Sequence, residues 1–299
     1  MKQTLIVIGG ATAIGKTKIC IQLAKQFKSE IISADARQLY KELNVGVAKP
    51  SIQELKEVKH HFINHISIKN HYSIGEYERD GLQLMKKLFQ KHEILFLCGG
   101  SGLYIDALCE GLSKFPEIPQ EIRAQTRKDL TDKGLDFLNN ELKYSDIETY
   151  TKIDKYNPRR VMRAIEVCRS SQRPYSFYLK KKKEKRNFNI LFISIQDKRE
   201  TIYDNINKRV VKMISNGLIE EAKTLYAYKD YPSLQTIGYQ EVFEYLDKKT
   251  SNAELINIIQ QNTRRYAKRQ INWFNNPKYI QIEEEHETNI SKLIKDHHM

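Results

Sequence analysis

The segment Gly10-Ala-Thr-Ala-Ile-Gly15-Lys16-Thr17 fits the pattern GxxxxGK[ST] at every fixed position. It follows a short, continuously apolar run, Thr4-Leu-Ile-Val-Ile8. It precedes a stretch in which Ile19, Leu23, Ala24 and Phe27 fall at helical spacing. A loop of this kind between a buried strand and a helix is a phosphate cradle. Its glycines allow backbone angles that turn N–H groups inward around an anion, and the helix N-terminus adds the positive end of its dipole. Lys16 supplies a point charge, and Thr17 a hydroxyl for phosphate or for Mg²⁺.

A strand, a phosphate loop and a helix at the start of a chain predict an α/β sheet, and the later segments agree. Further strands are expected at Glu30–Ser33, Glu93–Leu97, Asn189–Ile195 and Lys278–Ile282, with helical patterns between most of them. The expected fold is a P-loop NTPase-like parallel sheet core with helices on both faces. Residues 115–187 contain no convincing strand and are dense in charge. They read as a mostly helical insertion domain, flanked by a catalytic core of residues 1–114 and 188–299 with C-terminal helices. The only low-complexity patch is Lys180–Arg186.

At 299 residues with 40% hydrophobic side chains, the chain can bury a real core. The cysteines, Cys20, Cys98, Cys109 and Cys168, have no spacing that suggests zinc ligands or a disulfide framework, which points to a reduced, cytoplasmic protein. No stretch is apolar enough to be expected to span a bilayer. The net charge of +13 fits a polyanionic partner.

A phosphate cradle does not say which phosphate it holds. In a kinase or nucleotide hydrolase, an acid is expected at the end of a second apolar strand, where it holds Mg²⁺. Here Ile94–Leu97 runs instead into Cys98-Gly-Gly-Ser-Gly-Leu-Tyr104. The acid at a core strand's carboxyl end is Asp35, in Ser33-Ala-Asp-Ala-Arg-Gln-Leu-Tyr40. Asp35 suits either catalysis or a helix N-cap. A small-molecule kinase using ATP and an ATP-dependent RNA-binding protein stay open at this point.

The set GATAIGKT, SADARQLY and CGGSGLY resembles the bacterial tRNA dimethylallyltransferases (isopentenyl-diphosphate:tRNA transferases). Four later segments agree in order and spacing: Asn157–Val167, Gly217–Glu221, Ile237–Glu241 and Arg264–Phe274. The matches run over nearly the whole chain. Departures from the family pattern fall at Ala11, Ile14, Ala36, Ser101 and Asp146-Ile147; none touches Asp35, Lys16 or Thr17.

The resemblance implies transfer of a dimethylallyl group from dimethylallyl diphosphate to N6 of the adenosine 3′ of the anticodon (position 37), in tRNAs reading codons that begin with U. It implies a monomer that binds a tRNA anticodon stem-loop, needs Mg²⁺ at Thr17, and works in the cytoplasm without a membrane. The leaving diphosphate would be held by the backbone and side chains of Gly10, Ala11, Thr12, Ala13, Ile14, Gly15, Lys16 and Thr17, with Arg209. Asp35 is the expected base, and Thr12 and Ser101 are hydroxyls beside the reacting centre. The RNA is expected to meet Asp35, Ala36, Arg37, Gln38 and Ser101 in the core. Arg123, Arg159, Arg160, Val161, Met162, Arg163 and Arg169 are its expected contacts in the insertion.

Asn157 and Pro158 read as an N-cap and first helical residue, with Val161, Ile165 and Cys168 on one face behind them. Near the C-terminus, Ile259, Tyr266 and Trp273 recur every seven residues as an expected packing stripe. Arg265, Lys268, Arg269 and Asn272 form a basic face beside it.

Overall fold

A computed structural model describes residues 3–180 and 185–298. The chain begins with β1 (Thr4–Gly10), α1 (Lys16–Gln26), β2 (Ile31–Ser33), α2 (Ile52–Glu57) and β3 (His60–His61). It continues through α3 (Ile74–Leu88), β4 (Ile94–Cys98) and α4 (Gly102–Glu110). A helical stretch follows: α5 (Gln120–Ser145), α6 (Ile147–Lys152), α7 (Pro158–Ser171) and α8 (Tyr175–Leu179). The chain then returns to strand in β5 (Asn189–Ile195). Next come α9 (Arg199–Ser215), α10 (Leu218–Leu225), α11 (Tyr239–Leu246), α12 (Asn252–Phe274), β6 (Ile280–Ile282) and α13 (His286–His298).

The residues divide into two compact units, Met1–Cys109 with Arg186–Met299, and Glu110–Lys185. The sequence placed the corresponding insertion at 115–187.

The first unit is built on a six-stranded sheet, ordered β3-β2-β4-β1-β5-β6, in which every pair is parallel. β1 is buried along its whole length, as a strand covered on both faces must be. One face of the sheet packs Leu5, Val7, Leu95 and Leu97 against α3 and α4 residues such as Tyr77 and Leu108. The other packs Ile6, Ile8 and Phe96 against α1 and α13. The short β3, with the half-buried pair His60-His61, has no apolar signature and was not expected from the sequence. Parallel pairing brings the carboxyl ends of β1, β4 and β2 to one edge. The phosphate loop, the Gly99–Ser101 turn and the Asp35 segment therefore lie side by side. Gly99 is required there, because a Cβ would stand 2.1 Å from the Ala34 carbonyl oxygen. Among the described residues, no helix is long and apolar enough to cross a membrane.

In the second unit, α5 and α7 pack through Leu138, Leu142, Val161, Ala164, Ile165 and Cys168. α5 is interrupted at Gly134, whose φ of 81° is non-helical. Asn157 caps α7 by accepting from Arg160 N, with Pro158 in the first turn, as the sequence predicts. Asp146, where the family pattern departs, caps α6 instead. Its carboxylate accepts from Thr149 N (3.0 Å) and also from the Ser176 N–H and hydroxyl.

Candidate active site

The phosphate loop turns as its sequence dictates. Gly15 caps α1 at φ 92°, and Ala13 also occupies the left-handed region at φ 63°, a strain usually met at functional sites. Two contacts define its resting state: Lys16 Nζ donates to the Ala11 carbonyl (2.6 Å), and Thr12 N donates to Gln270 Oε1 (2.8 Å). Burial pulls the Lys16 ammonium down to about 8, an effect that Arg209 reinforces and that Cys98 and Asp35 oppose.

Arg209, on α9, reaches the same place. Its Nη1 donates to Thr12 Oγ1 (3.2 Å), and burial lowers its pKa despite the nearby Asp35. The sequence alone would leave this arginine on a helix surface. Fold geometry turns it inward, next to Lys16.

Asp35 lies two residues past the buried end of β2. Its Oδ1 accepts from Arg37 N (2.8 Å) and Gln38 N (3.2 Å), which closes a turn; no helix starts here, so the expected helix N-cap is not what the carboxylate does. Oδ2 accepts no hydrogen bond from the described residues. One carboxylate oxygen thus fixes the backbone turn and the other is available to a ligand. Ser101 Oγ accepts from Ala36 N (3.0 Å), which ties the Gly-Gly turn to the Asp35 segment.

Two cavities meet here. A small one, about 100 Å³, is lined by Lys16, Thr17, Gln270 and the phosphate loop. A larger one, about 460 Å³, is bounded by residues 46–47, by 235–238 and by Val210, Met213 and Ile259. Thr12, Asp35, Arg209 and Tyr266 line both. An anion in the small cavity would sit among cations and N–H groups, while a flat, partly apolar molecule fits the larger one. Asp35 stands at their junction.

Several expectations change. Arg37 donates to the carbonyls of Pro232, Ser233 and Gln235 (3.0–3.3 Å), and Gln38 Nε2 to those of Val47 and Ala48. Both side chains hold walls of the larger cavity and are committed to backbone. Val161 is fully buried against α5, so its side chain cannot face RNA; positions 161, 164, 165 and 168 share the packed face of α7. Met162 is half-buried against the same cluster. Arg169 is consumed by Glu141 and Asp129, to which its Nη2 donates at 2.5 and 2.9 Å. Arg123, Arg159 and Arg160 are exposed, and Arg163 lies over the Phe115 ring with its guanidinium 5.3 Å from the centroid.

The heptad stripe on α12 also fails. Ile259 is buried, but Tyr266 faces the cavities and Trp273 is 43% exposed. A straight helix drifts about 20° per seven residues, so two heptads carry Trp273 off the packed face. Arg265, Lys268, Arg269 and Asn272 do form an exposed face. Of the Lys180–Arg186 run, Lys181–Glu184 lie outside the described residues. Lys180 pairs with Glu148, and Arg186 with Glu78.

Gln270 and Tyr266 were missed. Gln270 is buried and spans the site, accepting from Thr12 N and donating to the Gly100 carbonyl (2.9 Å). Both belong to the Arg264–Phe274 segment, but nothing in its periodicity marks them apart.

Comparison with known proteins fits this geometry. The family model described as IPP transferase matches residues 38–277. The tRNA dimethylallyltransferase of Christiangramia forsetii is 48% identical over 274 residues, covering 92% of this chain and 91% of that protein. That of Flavobacterium johnsoniae is 45% identical over 276 residues, 90% and 89% of the two chains. Among solved structures, the tRNA isopentenylpyrophosphate transferase of Bacillus halodurans superposes with a TM-score of 0.72 at 31% identity, over 99% of this chain and 96% of that one. A eukaryotic dimethylallyltransferase acting on tRNA gives 0.82 at 25% identity, over 98% and 77%. By a family match over most of its length and relatives nearly half identical to it, this chain belongs to the IPP transferase family.

Proposed function

We propose that the protein transfers the dimethylallyl group of dimethylallyl diphosphate to N6 of adenosine 37 in tRNAs reading codons that begin with U. The products are N6-dimethylallyladenosine and diphosphate. The observation that carries this reading is the free Oδ2 of Asp35 at the junction of a phosphate cradle and a larger cavity.

As the adenine nitrogen bonds to the allylic carbon, the C–O electrons pass to the diphosphate. Charge therefore develops in the small cavity, where Lys16, Arg209 and the loop N–H groups are already placed. The nitrogen then carries one hydrogen too many, and Asp35 Oδ2 accepts it. A carboxylate is a weak base, so the transfer falls late, after the C–N bond has formed. Thr12, tied to Arg209, and Ser101, tied to Ala36, hold this arrangement rather than react. The Thr17 hydroxyl in the small cavity suits a hard cation that keeps several waters, and no cluster of three acidic, His or Cys ligands stands among the described residues. Mg²⁺ bound by Thr17 and the diphosphate would supply further neutralisation of the leaving group.

The tRNA anticodon stem-loop is the partner, with Arg123, Arg159, Arg160 and Arg163 meeting its phosphates, and the adenine extruded into the larger cavity. The protein acts as a cytoplasmic monomer. A kinase reading finds no support: β4 ends in Cys98 and glycines, with no carboxylate for a metal–nucleotide complex. The test is mass spectrometry of nucleosides from tRNA incubated with the protein and dimethylallyl diphosphate. Dimethylallyladenosine is expected; unmodified tRNA would refute the proposal.

A further inference from the structure

The larger cavity has a wall that is held from behind. Val47 and Gly46 line it, and the backbone of this turn is fixed by Glu221 on α10. Glu221 Oε2 accepts from Val45 N (3.0 Å), and Oε1 accepts from Gly46 N (3.1 Å) and from the Tyr239 hydroxyl (2.5 Å). Tyr239 is fully buried, and its ring fills the space beside Gly46, where a Cβ would stand 2.5 Å from the ring carbons. Burial, with the carboxylate as hydrogen-bond acceptor, raises the tyrosine pKa, so the hydroxyl remains a donor.

The next residues of the same loop are anchored elsewhere. Gln38 Nε2 donates to the Val47 and Ala48 carbonyls, and Lys49 Nζ donates to the Tyr40 carbonyl (2.6 Å) and Asn64 Oδ1 (2.5 Å). Glu221 is therefore the side chain that fixes residues 45–46, and it does not itself line either cavity. Its two oxygens match two successive backbone N–H groups, which a neutral amide cannot do: a glutamine would accept from one and turn its NH₂ toward the other donors.

We propose that Glu221 is a positioning residue for the acceptor nucleoside: through Val45 and Gly46 it sets the wall against which the extruded adenosine is held. This rests on the transferase reading above and extends it to a residue remote from the reacting atoms. Releasing the 45–46 turn should loosen the larger cavity and leave the phosphate cradle intact, because Lys16, Arg209 and Gln270 depend on none of these contacts.

Steady-state kinetics with an anticodon stem-loop RNA, beside equilibrium binding of inorganic diphosphate, tests this. Glu221→Ala and Glu221→Gln should raise KM for the RNA by roughly ten-fold, the scale of losing hydrogen bonds to a charged group. Diphosphate affinity should stay within about two-fold of wild type. Tyr239→Phe, which keeps both backbone bonds, should change KM for the RNA by less than about three-fold. Gly46→Ala displaces the same turn with Glu221 intact and should reproduce the RNA defect. That variant keeps the test open if the Glu221 variants do not fold. A general structural role would instead lower thermal stability and weaken diphosphate and RNA together. That outcome, or an unchanged KM for the RNA in folded Glu221 variants, would overturn the proposal. If wild-type protein forms no dimethylallyladenosine at all, the functional reading fails, and the diphosphate titration still reports whether the cradle is a phosphate site.

Discussion

Lys16 offers a test that can be worked through from the structure. Its ammonium is buried in the phosphate loop beside Arg209, and the resulting pKa of about 8 lies well below the usual lysine value; Asp35 and Cys98 offset only part of the burial. An anionic ligand binds best to the charged form, and once bound it holds the proton on. In the free protein about 0.9 of Lys16 is charged at pH 7 and about 0.1 at pH 9. If only the charged form binds, Kd for dimethylallyl diphosphate should rise about ten-fold over that interval, and each mole bound at pH 9 should draw nearly one proton from buffer. The diphosphate ester has already lost its last proton below this range, so its own titration adds little. The sign is fixed: a depressed lysine weakens anion binding as pH rises. Isothermal titration in buffers of different ionisation enthalpy measures both quantities. Lys16→Met should bind more weakly and show no dependence of Kd on pH. A wild-type Kd that moves less than two-fold between pH 7 and 9, or a Lys16→Met protein with the wild-type profile, would refute the reasoning.

Other outcomes follow from single contacts. Asp35→Asn keeps an oxygen for the Arg37 and Gln38 N–H groups but cannot take the proton, so turnover should fall about 10²–10⁴-fold with RNA affinity nearly unchanged; equal loss of both would place Asp35 in binding alone. Gln270→Ala strands the Thr12 N–H and the Gly100 carbonyl, at about 1–3 kcal/mol each less what entering water recovers, so the denaturation midpoint and diphosphate affinity should fall together. An unshifted midpoint would show that the bridge carries no energy. The two classes of arginine in the second unit should separate. Arg160→Ala should reduce the salt slope of tRNA binding by about one without affecting stability. Arg169→Ala should cost about 2 kcal/mol of stability by stranding the Glu141 carboxylate, while Asp129 keeps Lys133 and Gln125, with the salt slope unchanged.

The parts of this site written in local sequence were legible. Gly10–Thr17 carries its own geometry, because a strand, two glycines and a helix N-terminus make an anion cradle wherever they occur together. Asp35 could be placed because apolar β2 stops two residues before it and parallel sheets put ligands at that edge. The expected helical character of the insertion and the capping of α7 rested on equally local signals. β3 escaped notice: two histidines paired with Ile31 and Ile32 show no alternation to read.

What stayed hidden depends on partners far apart in the chain. Gln270 contacts Thr12 across 258 positions and Gly100 across 170; Glu221 holds Val45 across 176. On their own helices these are a glutamine among basic residues and one of two adjacent acids, indistinguishable from solvated neighbours. The same blindness runs the other way. Arg37 and Arg169 look like free cations for RNA until their acceptors appear, three backbone carbonyls for one and two carboxylates for the other. A cation's meaning is set by whether the fold neutralises it. In this chain Arg37 and Arg169 shape walls and core, whereas Arg159 and Arg160 stand exposed. The excess of positive charge in the composition is therefore a poor guide to where the proposed RNA would bind, and the unpaired subset is the better one.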